Sequence, residues 1–187
     1  MTNTDITECL SALFGSNVQR IDTQSWQVET ENARILVLLS DDQSWLRVLL
    51  PIAPLSDAQP FLEQLLTANF DETQEVRYAL HQDVLWGVFQ HNRESLTVDD
   101  FQGAIARLLL LKSQGLTNSF NTFTEQQIRQ IIAAAKRQGQ SLETTLQTLE
   151  RFYAEGIMGS MQQPAADRQA ILDAWRYQLE RLWDEAD

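Results

Sequence analysis

Two patterns of apolar and polar residues alternate along the first 116 residues of this chain. The first pattern is helical, with apolar residues at three- and four-residue spacing, namely Ile6, Cys9, Leu10, Leu13 and Phe14. Asp5 and Glu8 have the spacing of a capping box and predict the start of this helix, while Gly15 predicts its end. The chain therefore opens with an amphipathic helix, and Cys9 lies on its buried side.

The second pattern is that of β-strands. Five segments between turn residues are either alternately or continuously apolar, and they cover residues 25–30, 33–39, 45–50, 76–80 and 84–89. Three of them (33–39, 45–50 and 84–89) are apolar at positions that point to both faces, which is typical of central strands. We expect a five-stranded antiparallel sheet with 25–30 and 76–80 at its edges. Pro51 and Pro54 are expected to end the third strand.

Helical patterns separate and follow these strands. Ser56 with Gln59 predicts the start of a second helix, and Thr97 with Asp99 and Asp100 that of a third. The fold class is thus α+β, with an antiparallel sheet packed against three helices. Because both faces of the sheet are apolar, the second face needs a cover. The C-terminal helices and a second copy of the chain are the two candidates.

From Thr117 onward the strand signals disappear and three amphipathic helical patterns remain. They begin near Thr124, at Ser141 and near Pro164. We predict two domains, an α+β domain over residues 1–116 and a helical extension over residues 117–187. Within the extension, Gly156 to Gln163 is the best linker candidate because it combines two glycines with a polar end.

Charge narrows the possible partners. The chain has 26 acidic and 14 basic residues and a formal net charge of −12, and 16 of the acids but 7 of the bases lie within residues 1–116. Phosphate backbones and anionic membrane surfaces both attract clustered Lys and Arg, which this sequence lacks. Nucleic-acid binding and membrane binding are therefore not expected. With a single cysteine and no signal-peptide or membrane-span pattern, the expected location is cytoplasmic.

No catalytic, metal or cofactor motif is legible. One Cys and two His are too few for a metal cluster, and His81 and His91 are expected to be solvated loop residues. The seven glycines form neither of the common phosphate-binding loops. The acidic pairs sit at turns and helix starts, where acids are expected for local reasons. We therefore expect no catalytic residues, no cofactor and no enzyme activity.

The five tryptophans are the candidate partner-binding residues. Trp26, Trp45 and Trp86 fall on predicted strands and are spaced so that they could share a sheet face. Trp175 and Trp183 lie eight residues apart on one side of the last helix. Core packing is the alternative for the three strand tryptophans, whereas the face of the last helix is expected to dock on the sheet, on a dimer mate or on a partner. Trp is also enriched where binding energy concentrates.

Two segments carry a resemblance to a known family, ARILVLLSDDQSWLRVLLPIAPLS (33–56) and VRYALHQDVLWGVFQHNRESLTVDDFQGAIARLLLL (76–111). In their element order, residues 1–116 resemble the class I type III secretion chaperone fold and the wider YbjN-like group of bacterial proteins, here a cyanobacterial branch. The resemblance implies a small, acidic, cytoplasmic homodimer that binds extended partner segments through apolar patches. It implies no catalytic residue, and residues 117–187 depart from the pattern.

These observations favour a non-catalytic, chaperone-like or adaptor module with a protein partner, expected to form a homodimer. One alternative is a small enzyme with a dispersed site, whose pocket walls would include Arg34, Arg47, His81 or His91. The other alternative is a structural subunit whose surplus helices are buried in a larger complex.

Overall fold

A computed structural model describes the backbone of residues 1–154 and 165–185, and the side chains of residues 1–152 and 172–185. The expected linker, Gly156 to Gln163, and the helix start near Pro164 lie outside the described residues. The chain divides into two compact units, Met1–Phe120 and Asn121–Asp187. The expected domain boundary at 116/117 stays a prediction.

The first unit contains an antiparallel sheet with helices. Its strands are β1 (Val18–Arg20), β2 (Ser25–Glu29), β3 (Arg34–Leu39), β4 (Trp45–Pro54), β5 (Arg77–His81) and β6 (Val84–Asn92). Its helices are α1 (Asn3–Phe14), α2 (Leu55–Ala58), α3 (Leu62–Asp71) and α4 (Val98–Gln114), followed by the start of α5 (Thr117–Arg137). The strand order is β1-β2-β3-β4-β6-β5, and every neighbouring pair is antiparallel. The α+β class with an antiparallel sheet is confirmed.

The strand count and one edge were wrong. The described sheet has six strands instead of five, because the short β1 pairs with β2 and takes the edge position expected of residues 25–30. Three residues with a single apolar member give no periodic signal. The other expected edge strand, β5, is an edge. Pro51 does not end β4, since the strand continues to Pro54 past a register shift between Pro51 and Ala53, where a missing N–H is tolerated.

The helix starts agree only in part with the sequence patterns. Thr97 caps α4 as expected, since its side chain accepts from the Asp100 N–H and the Asp100 carboxylate accepts from the Thr97 N–H. Helix α1 starts earlier than predicted, through the same reciprocal arrangement between Thr2 and Asp5. The helix expected from Ser56 is split into α2, a 3₁₀ turn at Gln59–Phe61 that contains Pro60, and α3. The expected count of three helices was therefore wrong, since four α-helices precede α5 in the described first unit.

One face of the sheet forms the core of the first unit, and we call it the covered face. Helix α4 packs on it against β4 and β6, and helix α1 packs beside α4 against β1 and β2. The largest buried side chains of this unit include Trp26, Phe89, Phe101, Ile6, Leu10, Ile35, Leu46 and Leu50. Cys9 is also buried there, as expected, and burial raises the pKa of its thiol. Gly87 on β6 allows the close approach of Leu108 from α4.

The second unit is helical in its described part. It comprises most of α5, then α6 (Leu142–Ala154) and α7 (Ala165–Trp183). Helix α5 begins at Thr117, seven residues before the start predicted near Thr124, whereas Ser141 caps α6 as expected by accepting from the Thr144 N–H. A separate apolar cluster holds the unit together and consists of Ile128, Ile132, Leu146, Leu179 and Leu182.

Candidate functional site

The second face of the sheet, which we call the open face, presents partly exposed apolar side chains. The strand register places Leu36, Leu49 and Val88 directly opposite one another on β3, β4 and β6, and we call these three the apolar row. The next row toward the end of β4 contains Pro51, Trp86 and Ala79. All six side chains are partly exposed in the chain. An apolar area of this extent on a sheet is typical of an interaction surface.

A groove with a volume of about 440 Å³ lies on this surface. It is lined by Leu38, Arg47, Leu49, Ala79, His81, Trp86, Val88 and Gln90. A smaller depression of about 180 Å³ adjoins it through Leu38, Arg47 and Gln90 and reaches Trp45. The larger groove is mainly apolar, which suits an apolar ligand segment, whereas the smaller depression mixes apolar and polar side chains. Among the described residues, no carboxylate lines either depression.

Two arginines, Arg34 and Arg47, lie beside the apolar row, and each is hydrogen-bonded to a glutamine side chain. Arg47 donates from Nε to Gln90 Oε1 at 3.2 Å, across the β4–β6 pair. Arg34 donates from Nη2 to Gln27 Oε1 at 3.3 Å, across the β2–β3 pair. Amide groups orient both guanidinium groups without neutralising them, and Glu29 is the one strand carboxylate on the same face, directly across the β2–β3 pair from Arg34.

The strand tryptophans do not share one face. Trp26 lies on the covered face with 0% exposure, and its indole N–H donates to Thr7 Oγ1 at 2.9 Å. The Arg20 guanidinium stacks over its ring. The expectation of one shared face was therefore wrong for Trp26, because the register of β2 and β3 points its side chain toward α1. Buried in this way, Trp26 offers no surface to a partner.

Trp45 and Trp86 do lie on the open face. Trp45 is 45% exposed at the start of β4, and it borders the smaller depression. Trp86 is partly exposed within the groove, and its indole N–H donates to the His81 carbonyl oxygen at 3.0 Å. Of the three strand tryptophans, these two remain partner-binding candidates.

Trp175 and Trp183 belong to the second unit. Both are partly buried and pack against its apolar cluster beside Leu179 and Leu182. The ammonium group of Lys136 lies 5.9 Å from the centre of the Trp183 ring. Their placement gives each a packing role within the helical unit, and partner binding by them stays a prediction.

The polar residues named for a possible enzyme site are brought together only in part. Arg47 and His81 line the groove, whereas His91 lies on the covered side of β6 and stacks on Phe89. No group of three or more His, Cys, Asp or Glu residues in the described part of the chain could hold a metal ion. Within that part, no helix has the length and apolar character needed to span a bilayer.

Sequence reasoning did not single out the apolar row. Its members were recognised only as parts of strands that are apolar on both sides. The signal that identifies them is alternation within those runs, because Leu36 lies two residues after Arg34 and Leu49 two residues after Arg47. An arginine two residues away on a strand lies on the same face and marks it as the solvated one.

A second apolar surface lies on α3 and the edge strand β5. Phe70 is 90% exposed, Leu66 is 68% exposed and Leu80 is 47% exposed. The Asn69 amide binds the backbone of β5, accepting from the Tyr78 N–H at 2.8 Å and donating to the Tyr78 carbonyl at 3.0 Å. Asn69 thus occupies part of the outer edge of β5, where another strand could otherwise pair.

Comparison with known proteins gives matches among solved structures. No family model and no curated protein matches the chain. The HopA1–SchA chaperone–effector complex matches at 15% identity and a TM-score of 0.48, over 60% of this chain and 90% of that chain. The Yersinia pestis type III secretion chaperone SycH, in complex with a fragment of YscM2, matches at 14% identity and a TM-score of 0.47, over 60% of this chain and 97% of that chain. The ExoU–SpcU complex from the type III secretion system of Pseudomonas aeruginosa matches at 16% identity and a TM-score of 0.47, over 60% of this chain and 95% of that chain.

These neighbours include the secretion-chaperone class that the sequence resemblance names. At TM-scores below 0.5 we transfer neither a function nor a residue role from them. The YbjN-like likeness and the cyanobacterial origin stay predictions.

Proposed function

We propose that this protein is a non-catalytic, chaperone-like binding module that holds an apolar segment of a partner protein on its open face. The observation that carries the proposal is the apolar row of Leu36, Leu49 and Val88, extended by Trp86 into a groove of about 440 Å³. Partly exposed apolar side chains on three adjacent central strands gain free energy when a partner removes them from water.

The dimensions of the surface suit a short segment. Strands lie roughly 4.8 Å apart, so the distance from β3 across β4 and β6 to β5 is roughly 15 Å. A chain of four or five extended residues, or about three turns of helix, covers that distance. Trp86 is placed to act as a central anchor, since aromatic residues in desolvated positions concentrate binding energy.

The alternative of a small enzyme is less well supported. The groove contains Arg47 and His81 as its titratable side chains among the described residues, and no carboxylate lines it there as a partner for general acid–base catalysis. We therefore propose binding as the function of this surface.

Site-specific crosslinking tests the proposal. A photo-reactive phenylalanine analogue replaces Trp86 in the full-length protein, and in a control protein it replaces the exposed Ala106 on α4. We expect one partner to crosslink in native lysate from position 86 and not from position 106. Equal crosslinking from both positions, or none from position 86, would contradict the proposal.

The purified partner then provides a quantitative check. Replacing Leu49 and Val88 together by threonine keeps β-propensity but removes apolar surface, and should weaken binding by about tenfold or more. The matched control replaces the polar open-face residues Ser25 and Gln19 by threonine and should change the Kd by less than about twofold. Isothermal titration calorimetry measures both, after circular dichroism has shown that each variant is folded.

We also propose that the protein is a homodimer in which α3 and β5 meet their counterparts in a second copy. Phe70, Leu66 and Leu80 support this proposal, since such exposure is unusual for a monomer. In a twofold interface each copy presents the same surface, so an apolar patch is complementary to itself.

A further inference from the structure

The charges of the first unit are distributed unevenly between the open face and the rest of its surface. Residues 1–116 contain 16 acidic and 7 basic residues. On the strands, the open face carries three of those seven bases, Arg34, Arg47 and Arg77, but a single one of the acids, Glu29. An acidic unit thus presents a locally basic face beside its apolar groove. Such a local field attracts anionic partners.

Two of these arginines lie on opposite sides of the apolar row. Arg34 precedes Leu36 by two residues on β3, and Arg47 precedes Leu49 by two residues on β4. Because β3 and β4 are antiparallel and Leu36 pairs with Leu49, the two arginines lie at opposite ends of that pair. The distance between them along the strand direction is roughly 13 Å, from four residues at roughly 3.3 Å each. A segment lying along the apolar row therefore has one guanidinium group on each side.

Neither Arg34 nor Arg47 forms an ion pair within the described part of the chain, although Glu29 lies directly across the β2–β3 pair from Arg34. The ion pairs found there all lie within the second unit and include neither arginine. Arg34 and Arg47 bond to glutamine amides instead. Arg77 differs, since its guanidinium donates to the Val76 carbonyl and to Thr73 Oγ1. Arg34 and Arg47 are thus the two arginines placed to meet an incoming anion.

From this arrangement we infer that the occupant of the open face is an acidic apolar segment of a partner protein, with carboxylates on both sides of its apolar residues. The inference rests on the proposed function and specifies the chemistry of the partner. The apolar row supplies the main binding surface, and Arg34 and Arg47 select for Asp or Glu beside it. Guanidinium groups suit this role because they bind carboxylates through two parallel hydrogen bonds.

A display library of random 12-residue peptides tests the inference without presupposing a sequence. The full-length protein serves as bait, and the folded Leu49→Thr, Val88→Thr double variant serves for counter-selection. We expect the selected peptides to combine apolar residues with Asp or Glu, enriched over the starting library. In a synthetic selected peptide, changing each flanking carboxylate to its amide should weaken binding by roughly two- to fivefold, the range of a partly exposed ion pair.

Substitution of Arg34 and Arg47 tests whether these two residues cause the preference for carboxylates. Arg34→Gln with Arg47→Gln should remove the difference between the acid and amide peptides, whereas Arg107→Gln on α4 should preserve it. Selected peptides that are neutral or basic, or a carboxylate preference that survives loss of both arginines, would overturn the inference and leave the proposed function standing.

Two other outcomes concern the site itself. If no peptide is enriched over the counter-selected double variant, the proposed function fails together with the inference. If the bait alone is a dimer that the double variant converts to a monomer, a second copy occupies the open face, and the inference of an acidic partner segment is overturned.

Discussion

At the scale of single residues, Trp26 shows how a binding candidate becomes a core residue. Its ring is fully buried and its indole N–H is bonded to Thr7. Trp26→Phe removes this hydrogen bond and leaves unfilled space, so it should lower the free energy of unfolding by about 1–3 kcal/mol. Trp45→Phe, at a residue that is 45% exposed, is the matched control and should change it by less than about 0.5 kcal/mol. Urea denaturation measures both, and equal effects would contradict the assignment of faces.

Asp42 carries a second prediction at this scale. The Ser40 hydroxyl, 2.6 Å from Oδ1, is the main cause that lowers the pKa of the Asp42 carboxyl to about 2, and the backbone N–H and hydroxyl of Ser44 add to it. Because this pKa lies below its unfolded value of 3.8, the carboxylate stabilises the turn above about pH 4, and the contribution is lost as pH falls toward 2.

A titration of the Asp42 carboxyl carbon by nuclear magnetic resonance checks that value. Ser40→Ala should move the pKa upward toward 3.8, since the strongest donor is lost. Ser113→Ala on α4 should leave the titration of Asp42 unchanged. An unaltered curve in Ser40→Ala would show that the Ser40 hydroxyl does not bind the carboxylate.

At the scale of elements, two glycines distinguish close packing from open space. A Cβ on Gly87 would lie 3.0 Å from Leu108 Cδ2 and 3.5 Å from Ile52 Cδ1, and Leu108 is fully buried. Gly87→Val should therefore destabilise the protein by about 1–3 kcal/mol. Gly103, within α4, has Glu75 Oε1 as its nearest neighbour at 3.9 Å, so Gly103→Ala should stabilise by about 0.5–1 kcal/mol. Thermal unfolding measures the two shifts, and a shared sign would contradict the packing of α4 on β6.

The sequence predicts elements better than it predicts their faces. Thr97 is recognised as a cap because all the groups involved lie within four residues. Pro51 was taken to end its strand, since the bulge that accommodates it depends on pairing with β6, more than thirty residues away. The face of Trp26 depends on the register of a hairpin, and a shift of one residue reverses every side chain.

The sequence predicted that a second sheet face would be apolar, but it did not identify the residues that form the candidate site. Strands apolar on both sides indicated that a second face needed a cover, and the open face has that character. Leu36, Leu49 and Val88 lie in one row only because β4 pairs with both β3 and β6. Of these strands, β4 and β6 are separated along the chain by α2, α3 and β5. The positions of Arg34 and Arg47 around that row depend on the same pairing.

At the scale of the whole molecule, each of the two units is stabilised internally by a different set of interactions. The first unit is built on a large apolar cluster that spans the sheet, α1 and α4. The second has a small cluster, with ion pairs of Arg129 and Arg181 to Glu125 and of Arg129 to Glu185 on its surface. Exposed ion pairs of this kind contribute little to stability, typically about 0–1 kcal/mol each. The first unit is therefore the one we expect to fold alone.

Self-association is the last property at this scale, and its test separates α3 and β5 from the open face. Phe70→Asp places a charge on the most exposed aromatic side chain of the apolar surface formed with Leu66 and Leu80. Burying that charge in a twofold interface, opposite its copy, costs both desolvation and repulsion. We expect the wild-type protein to be a dimer and Phe70→Asp to be a monomer. Size-exclusion chromatography with light scattering measures the mass.

Leu110→Asp provides the control, because Leu110 is 44% exposed on α4 and should leave the dimer intact. A monomeric wild-type protein would contradict dimerisation, and a dimeric Phe70→Asp variant would place the interface elsewhere. If Phe70→Asp is monomeric yet still binds the peptides selected on the open face, the two surfaces act independently. Loss of peptide binding in that folded monomer would instead mean that the partner segment contacts both copies, and that dimerisation completes the binding site.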